Sequence, residues 1–170
     1  MTPSVRADLL AKLEAGRKEL LAAVQGMSEE EAAAHEEGRW SAIGNIEHLA
    51  VSETHLLSRI REAVPVEGEA VPGREGALFE GLKRRTRKVK APAQAHPSGE
   101  CRTLAEAMAR FEAARGRTVA FVESCESDLR LCSTTHPLLG PMTGMECIHM
   151  IAAHPFRHAA QIRELRGIAD

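Results

Sequence analysis

Apolar residues recur along the chain at the three-, four- and seven-residue separations that place them on one face of an α-helix. Over residues 5–24, Leu9, Leu13, Leu20 and Val24 form such a stripe, widened by Leu10 and Leu21, and the pattern stops near Gly26. Ser28 followed by Glu31 has the spacing of a capping box and predicts a short helical turn reaching about His35. Residues 41–64 repeat Ile46, Leu49, Leu56, Leu57 and Ile60 until Pro65, whose ring biases the preceding residue out of the helical region. From Pro65 to Cys101 the composition turns to Gly, Pro and charge, with a weak helical pattern around Leu78, Phe79 and Leu82. Thr103 with Glu106 opens a third long helix carrying Leu104, Ala107, Phe111, Ala114, Thr118, Val122 and Cys125. Thr143 with Glu146 opens a fourth, running through Ile148, Ile151, Ile162 and Leu165 to Gly167. No strand pattern and no internal repeat emerge. The expected fold is all-α: a four-helix bundle over residues 1–170, one domain, with a long crossover between helices two and three. A crossover of that length permits the third long helix to run parallel to the second.

Composition narrows the function classes. With 24 acidic against 22 basic side chains the net charge is -2, so no overall field draws the chain to nucleic acid or anionic lipid. One tryptophan, four phenylalanines and no tyrosine leave too few rings for a base-stacking platform. The basic run from Lys83 to Lys90 is the exception, a local patch that fits a solvated face or phosphate contact. No apolar run spans a bilayer, and the first ten residues carry a charge pair where a signal peptide is apolar, so a cytoplasmic protein is expected. Cys101, Cys125, Cys132 and Cys147 show no C-x-x-C spacing and suit reduced thiols.

Eight histidines remain to be placed. In H-P-F-R-H, His154 and His158 lie about 40° apart on a helical wheel, on the face of Cys147, Ile151, Gln161 and Leu165, so both imidazoles can address one ion. The same spacing also suits core histidines bonded to nearby acceptors. Pro155 between them removes one helical hydrogen bond and predicts a bend. A zinc-like catalytic site needs a third ligand, and His48 on the second long helix is the candidate, on the shoulder of its apolar stripe. Glu53 lies nearer the middle of that stripe, as a partly exposed salt-bridge partner or as a carboxylate holding a ligand. His55, seven residues after His48, lies about 10 Å along the axis from it, too far for the same ion. His35, His55, His96, His136 and His149 are mostly expected at the surface, and Cys147 buried as a small hydrophobe.

Two blocks resemble a known family. R-W-S-A-I-G-N-I-E-H-L-A-V-S-E from Arg39 to Glu53 is similar to the W-S/T…H-L segment of the DinB-like (DinB/YfiT) superfamily of bacterial four-helix metalloenzymes. H-P-L-L-G from His136 to Gly140, followed by H-P-F-R-H-A-A-Q-I from His154 to Ile162, is similar to that family's H-P-x-x-G loop and H-x-x-x-H-x-x-Q-I motif, from which Pro155 departs. The resemblance implies His48, His154 and His158 as metal ligands, with Trp40, Ser52 and Gln161 in the pocket around them. It implies a divalent ion, Zn²⁺ or Ni²⁺, and either hydrolysis or transfer of a low-molecular-weight thiol to a small-molecule electrophile. No general base stands out; Glu53 is the carboxylate considered for that role. The competing expectation is a non-catalytic bundle whose histidines are structural or bind metal as an oligomeric sensing module. A homodimer through the outer helix faces is compatible with either.

Overall fold

The computed structural model describes residues 1–69, 73–84, 90–136 and 138–168. Its helices are α1 (Pro3–Val24), α2 (Glu29–Ala33), α3 (Ala42–Arg61), α4 (Glu75–Lys83), α5 (Leu104–Ser124) and α6 (Gly144–Leu165). All three expected capping boxes form, at Ser28/Glu31, Thr103/Glu106 and Thr143/Glu146, and Ser41 caps α3 through the Gly44 amide. Each satisfies helix-end amides that have no partner within the helix.

Side-chain pairs give the directions. Glu47 meets Arg110, Glu53 meets Arg115 and Thr54 meets Arg117, so α3 and α5 run parallel. Glu19 meets Arg163, and Arg166 reaches the Ala23 carbonyl, so α1 and α6 are parallel too. Between these pairs the sense reverses: Arg17 bonds Glu112 while Arg6 reaches Cys125, and Asn45 meets His158 while Ile60 lies by Gly144. The parallel α3–α5 pair is what the long crossover permits.

The structure adds strands where none were expected. β1 (Val64–Pro65) pairs antiparallel with β2 (Cys132–His136), which pairs antiparallel with β3 (Gly140–Thr143). The hairpin turns at Gly140, whose φ of 71° suits a residue without Cβ. The segment C-S-T-T-H carries no apolar alternation because this sheet edges the bundle instead of covering its core. The basic run falls largely on residues 85–89, outside the described residues.

Two apolar clusters fill the bundle. One joins Leu9, Leu13, Leu56, Ile60, Val122, Ile148 and Ile151; the other joins Leu20, Ile43, Ile46, Leu49, Phe111 and Ile162. Between them lies a buried ion pair, Arg115 with Glu53, 2 % and 4 % exposed. Arg115 donates from Nε to Glu53 Oε1 (3.0 Å) and from Nη2 to Oε2 (2.9 Å), while Nη1 donates to the Leu13 carbonyl (2.6 Å). Its Nη2 also reaches the Ile151 carbonyl at 3.4 Å. That carbonyl is the one Pro155, lacking an N–H, leaves without its helical donor. The helix continues through Pro155, and α1 passes close beside it: a Cβ on Gly16 would lie 2.5 Å from the Ala152 oxygen. Among the described residues, no helix is long and apolar enough to cross a membrane.

Removing one partner leaves the other charge buried and alone. Glu53→Ala or Arg115→Ala is expected to cost about 3–5 kcal/mol, whereas the paired apolar replacement Glu53→Leu/Arg115→Met costs less, its remaining loss coming from the Ile151 carbonyl left without a donor. Urea unfolding followed by circular dichroism checks this; equal losses in the single and paired variants would contradict it.

Candidate metal centre

α3 and α6 pack antiparallel, and between them three imidazoles converge. The ligand atoms of His48, His154 and His158 all lie within 4.8 Å of one another. His154 Nε2 is 3.3 Å from His48 Nε2 and 3.1 Å from His158 Nε2. His48 and His158 are buried and His154 is partly buried.

The outer ring nitrogens decide what the inner ones present. His48 Nδ1 bonds the Ala95 carbonyl, and His158 Nδ1 lies 2.7 Å from Asn45 Oδ1. A carbonyl oxygen only accepts, so each Nδ1 carries the proton. Asn45 is oriented for this by its own amide, which donates to the Trp40 and Ser41 carbonyls at 3.1 and 2.8 Å. The Nε2 atoms of His48 and His158 therefore hold lone pairs, each within hydrogen-bonding distance of His154 Nε2, and both can ligate a shared cation. A tetrahedral ion with metal–nitrogen bonds of about 2.0–2.1 Å spaces its nitrogens about 3.3 Å apart, which the two spacings from His154 Nε2 match, and the three ligand atoms lie close enough together to hold one divalent ion. Burial lowers the pKa of His48 despite the opposing Ala95 carbonyl, and holds that of His154 well below the ordinary imidazole range with help from His48. Both stay in the neutral form that ligates metal.

The Ala95 carbonyl is itself held in place. It belongs to the returning crossover, where Glu47, 1 % exposed, accepts from Ser98 Oγ (2.6 Å), the Gly99 amide (3.0 Å) and Arg110 Nη1 (3.0 Å). Trp40 packs on His48 with ring centroids 4.8 Å apart and stacks over His158 at 6.5 Å.

A cavity of about 260 Å³ opens beside the trio. Trp40, Ser52 and Gln161 line it together with the three histidines. Ser52 Oγ lies 3.4 Å from both ring nitrogens of His48. Glu53 is the salt-bridge partner that its place in the stripe allowed, though buried rather than partly exposed: its carboxylate bonds Arg115 rather than any of the trio, and it does not line the cavity. His149 departs from expectation. It is 5 % exposed, with Nδ1 donating to the Met145 carbonyl and its ring edge-on to Phe79 of α4. His35, His55 and His96 are exposed, and His136 is half-buried in the cavity wall. Cys147 is fully buried, and burial pushes its thiol up to about 12, an inert thiol.

Asn45, Glu47 and Ala95 escaped the sequence analysis. Asn45 lies one helical turn before His48, a spacing that could have marked it; a backbone carbonyl has no side-chain signal at all.

A bundle of parallel helix pairs with three histidines converging between two of its helices is the class of protein these features define. The chain belongs to the DinB superfamily, which matches residues 12–162. No curated protein matches it. Its fold is similar to TT2238, a four-helix bundle protein, at 20% identity and a TM-score of 0.61, covering 94% of this chain and 98% of that one. It is also similar to YfiT from Bacillus subtilis, described as a probable metal-dependent hydrolase with an unusual four-helix bundle topology, at 18% identity and a TM-score of 0.61, covering 99% and 91%.

Because Asn45 sets the tautomer and tilt of His158, Asn45→Ala is expected to weaken Zn²⁺ binding by about 10–100-fold while helix content holds. Competition with a chromophoric chelator reads the affinity; unchanged affinity would remove Asn45 from the site.

Proposed function

We propose that this protein is a divalent-metal-dependent enzyme in which His48, His154 and His158 hold the ion, Zn²⁺ or Ni²⁺, for hydrolysis of a small molecule or transfer of a low-molecular-weight thiol to it. The observation that carries this reading is the convergence of three Nε2 atoms beside an open cavity. Such an ion supplies Lewis acidity, lowering the pKa of a bound water or thiol and favouring an anionic partner because three neutral imidazoles leave its charge uncompensated. The chain's own groups do the remainder. The Ala95 carbonyl and Asn45 Oδ1 keep the imidazole lone pairs directed inward, and burial keeps those rings neutral. Trp40 shields one side of the trio from solvent, while the Gln161 side chain on the cavity wall offers both a donor and an acceptor to a bound molecule. The cavity favours this reading over a non-catalytic metal-binding bundle, whose structural site would be closed by a fourth protein ligand; the cluster among the described residues has three members.

Elemental mass spectrometry of protein purified without a histidine tag or chelator tests it. Near-stoichiometric metal is expected in the native chain and loss of it in both His48→Ala and His158→Ala. Protein that carries no metal and takes up neither added Zn²⁺ nor Ni²⁺ would overturn the proposal.

A further inference from the structure

The cavity does not end at the histidines. His48, Ser52, His55, Leu56 and Arg59 all line it from α3, one face of that helix spanning about 16 Å along its axis. The far end differs in character from the trio end. Arg59 Nη1 donates to the Thr135 carbonyl at 2.9 Å, which holds the guanidinium against β2 at the cavity wall. His136, the last residue of β2, accepts at Nδ1 from the Leu138 and Leu139 amides (3.1 and 3.3 Å). Its proton therefore sits on Nε2, making the ring a neutral donor. Burial, then the neighbouring Arg59 charge, lower its pKa and keep it neutral. The apolar part of the lining is Leu56, Leu82, Met150, Leu138 and Leu139, and a second cation, Arg157, lies toward the trio, close enough to help lower the pKa of His48 and His154. Leu138 and Leu139 are 50% and 41% exposed, an apolar lip at the mouth. None of the described lining residues is acidic.

We propose that this pocket takes an aliphatic carboxylate, its anionic head bound by Arg59 and His136, its chain along the leucine and methionine walls, and its reacting end at the histidine trio. A guanidinium presents paired N–H groups in a plane that matches a carboxylate, and a third donor from His136 complements the remaining lone pairs. Only the position of the reacting end rests on the trio being the metal centre; the head and chain sites do not.

Calorimetry with metal-free and Zn²⁺-loaded protein separates the two ideas. Octanoate is expected to bind both forms. Affinity should rise by up to about fourfold per methylene from butanoate to octanoate as each is buried. Arg59→Met should weaken octanoate at least tenfold, with His136→Leu lowering it less, while the affinity for 1-octanol stays the same in every variant; Arg59→Lys, which retains the charge, should fall between. Octanoate that binds only the Zn²⁺-loaded protein and ignores Arg59 would place the head on the ion and overturn the proposal. So would octyl phosphate binding more tightly than octanoate, or an Arg59→Met loss shared equally by 1-octanol. Arg59-dependent octanoate binding to a chain that takes up no metal would uphold the carboxylate site while removing the metal reading.

Discussion

The buried guanidinium of Arg115 ties the bundle together where its apolar core is interrupted. Through one planar group it meets Glu53 on α3, the Leu13 carbonyl on α1 and the Ile151 carbonyl on α6, while itself belonging to α5. All four long helices converge on it. An arginine suits that place because its donors fan out in a plane and stay charged at any physiological pH. Pro155 makes the arrangement necessary: a proline inside α6 frees a carbonyl, and burial demands that the carbonyl find a donor. The proline sits directly beside His154, so the break in the helical ladder and the convergence of imidazoles occupy one level of the bundle, with the structural ion pair on one side and the trio on another.

The trio is positioned by neighbours local to His48 in sequence and by contacts that reach across the fold, Asn45 to His158 and Ala95 to His48. Asn45 lies in the first turn of α3 and Trp40 just before its Ser41 cap, both close to His48 in sequence. The Ala95 carbonyl comes from the far end of the long crossover, and it reaches the site because Glu47 gathers the Ser98–Glu100 segment onto α3. The crossover thus serves two purposes: it spans the bundle so that α5 can lie parallel to α3, and its returning limb completes the environment of His48.

Much of this was legible in the sequence because helical periodicity and capping boxes are local signals. Ser28/Glu31, Thr103/Glu106 and Thr143/Glu146 each marked a helix start that the structure contains. His154 and His158 share a face by spacing, and His48 stands out as a candidate third ligand on its own helix; the resemblance to a family joins the three, since contact between α3 and α6 is set by tertiary packing. The misses have physical causes. His149 was assigned to the surface because a wheel with one buried face describes a helix at the edge of a bundle; α6 is covered by α1, α3 and α4, so residues 144–153 are buried all round. The salt bridge of Glu53 was expected, but its burial was not, because its partner lies 62 residues away in sequence. The small sheet carries no apolar alternation to reveal it.

The only tryptophan of the chain lies against two of the three histidines. Its indole is therefore an optical probe fixed at the rim of the cavity and distant in character from the apolar clusters that hold the helices together. Intrinsic fluorescence of this protein follows the state of the imidazoles beside it, and an emission change during titration or unfolding describes that neighbourhood before it describes the bundle as a whole.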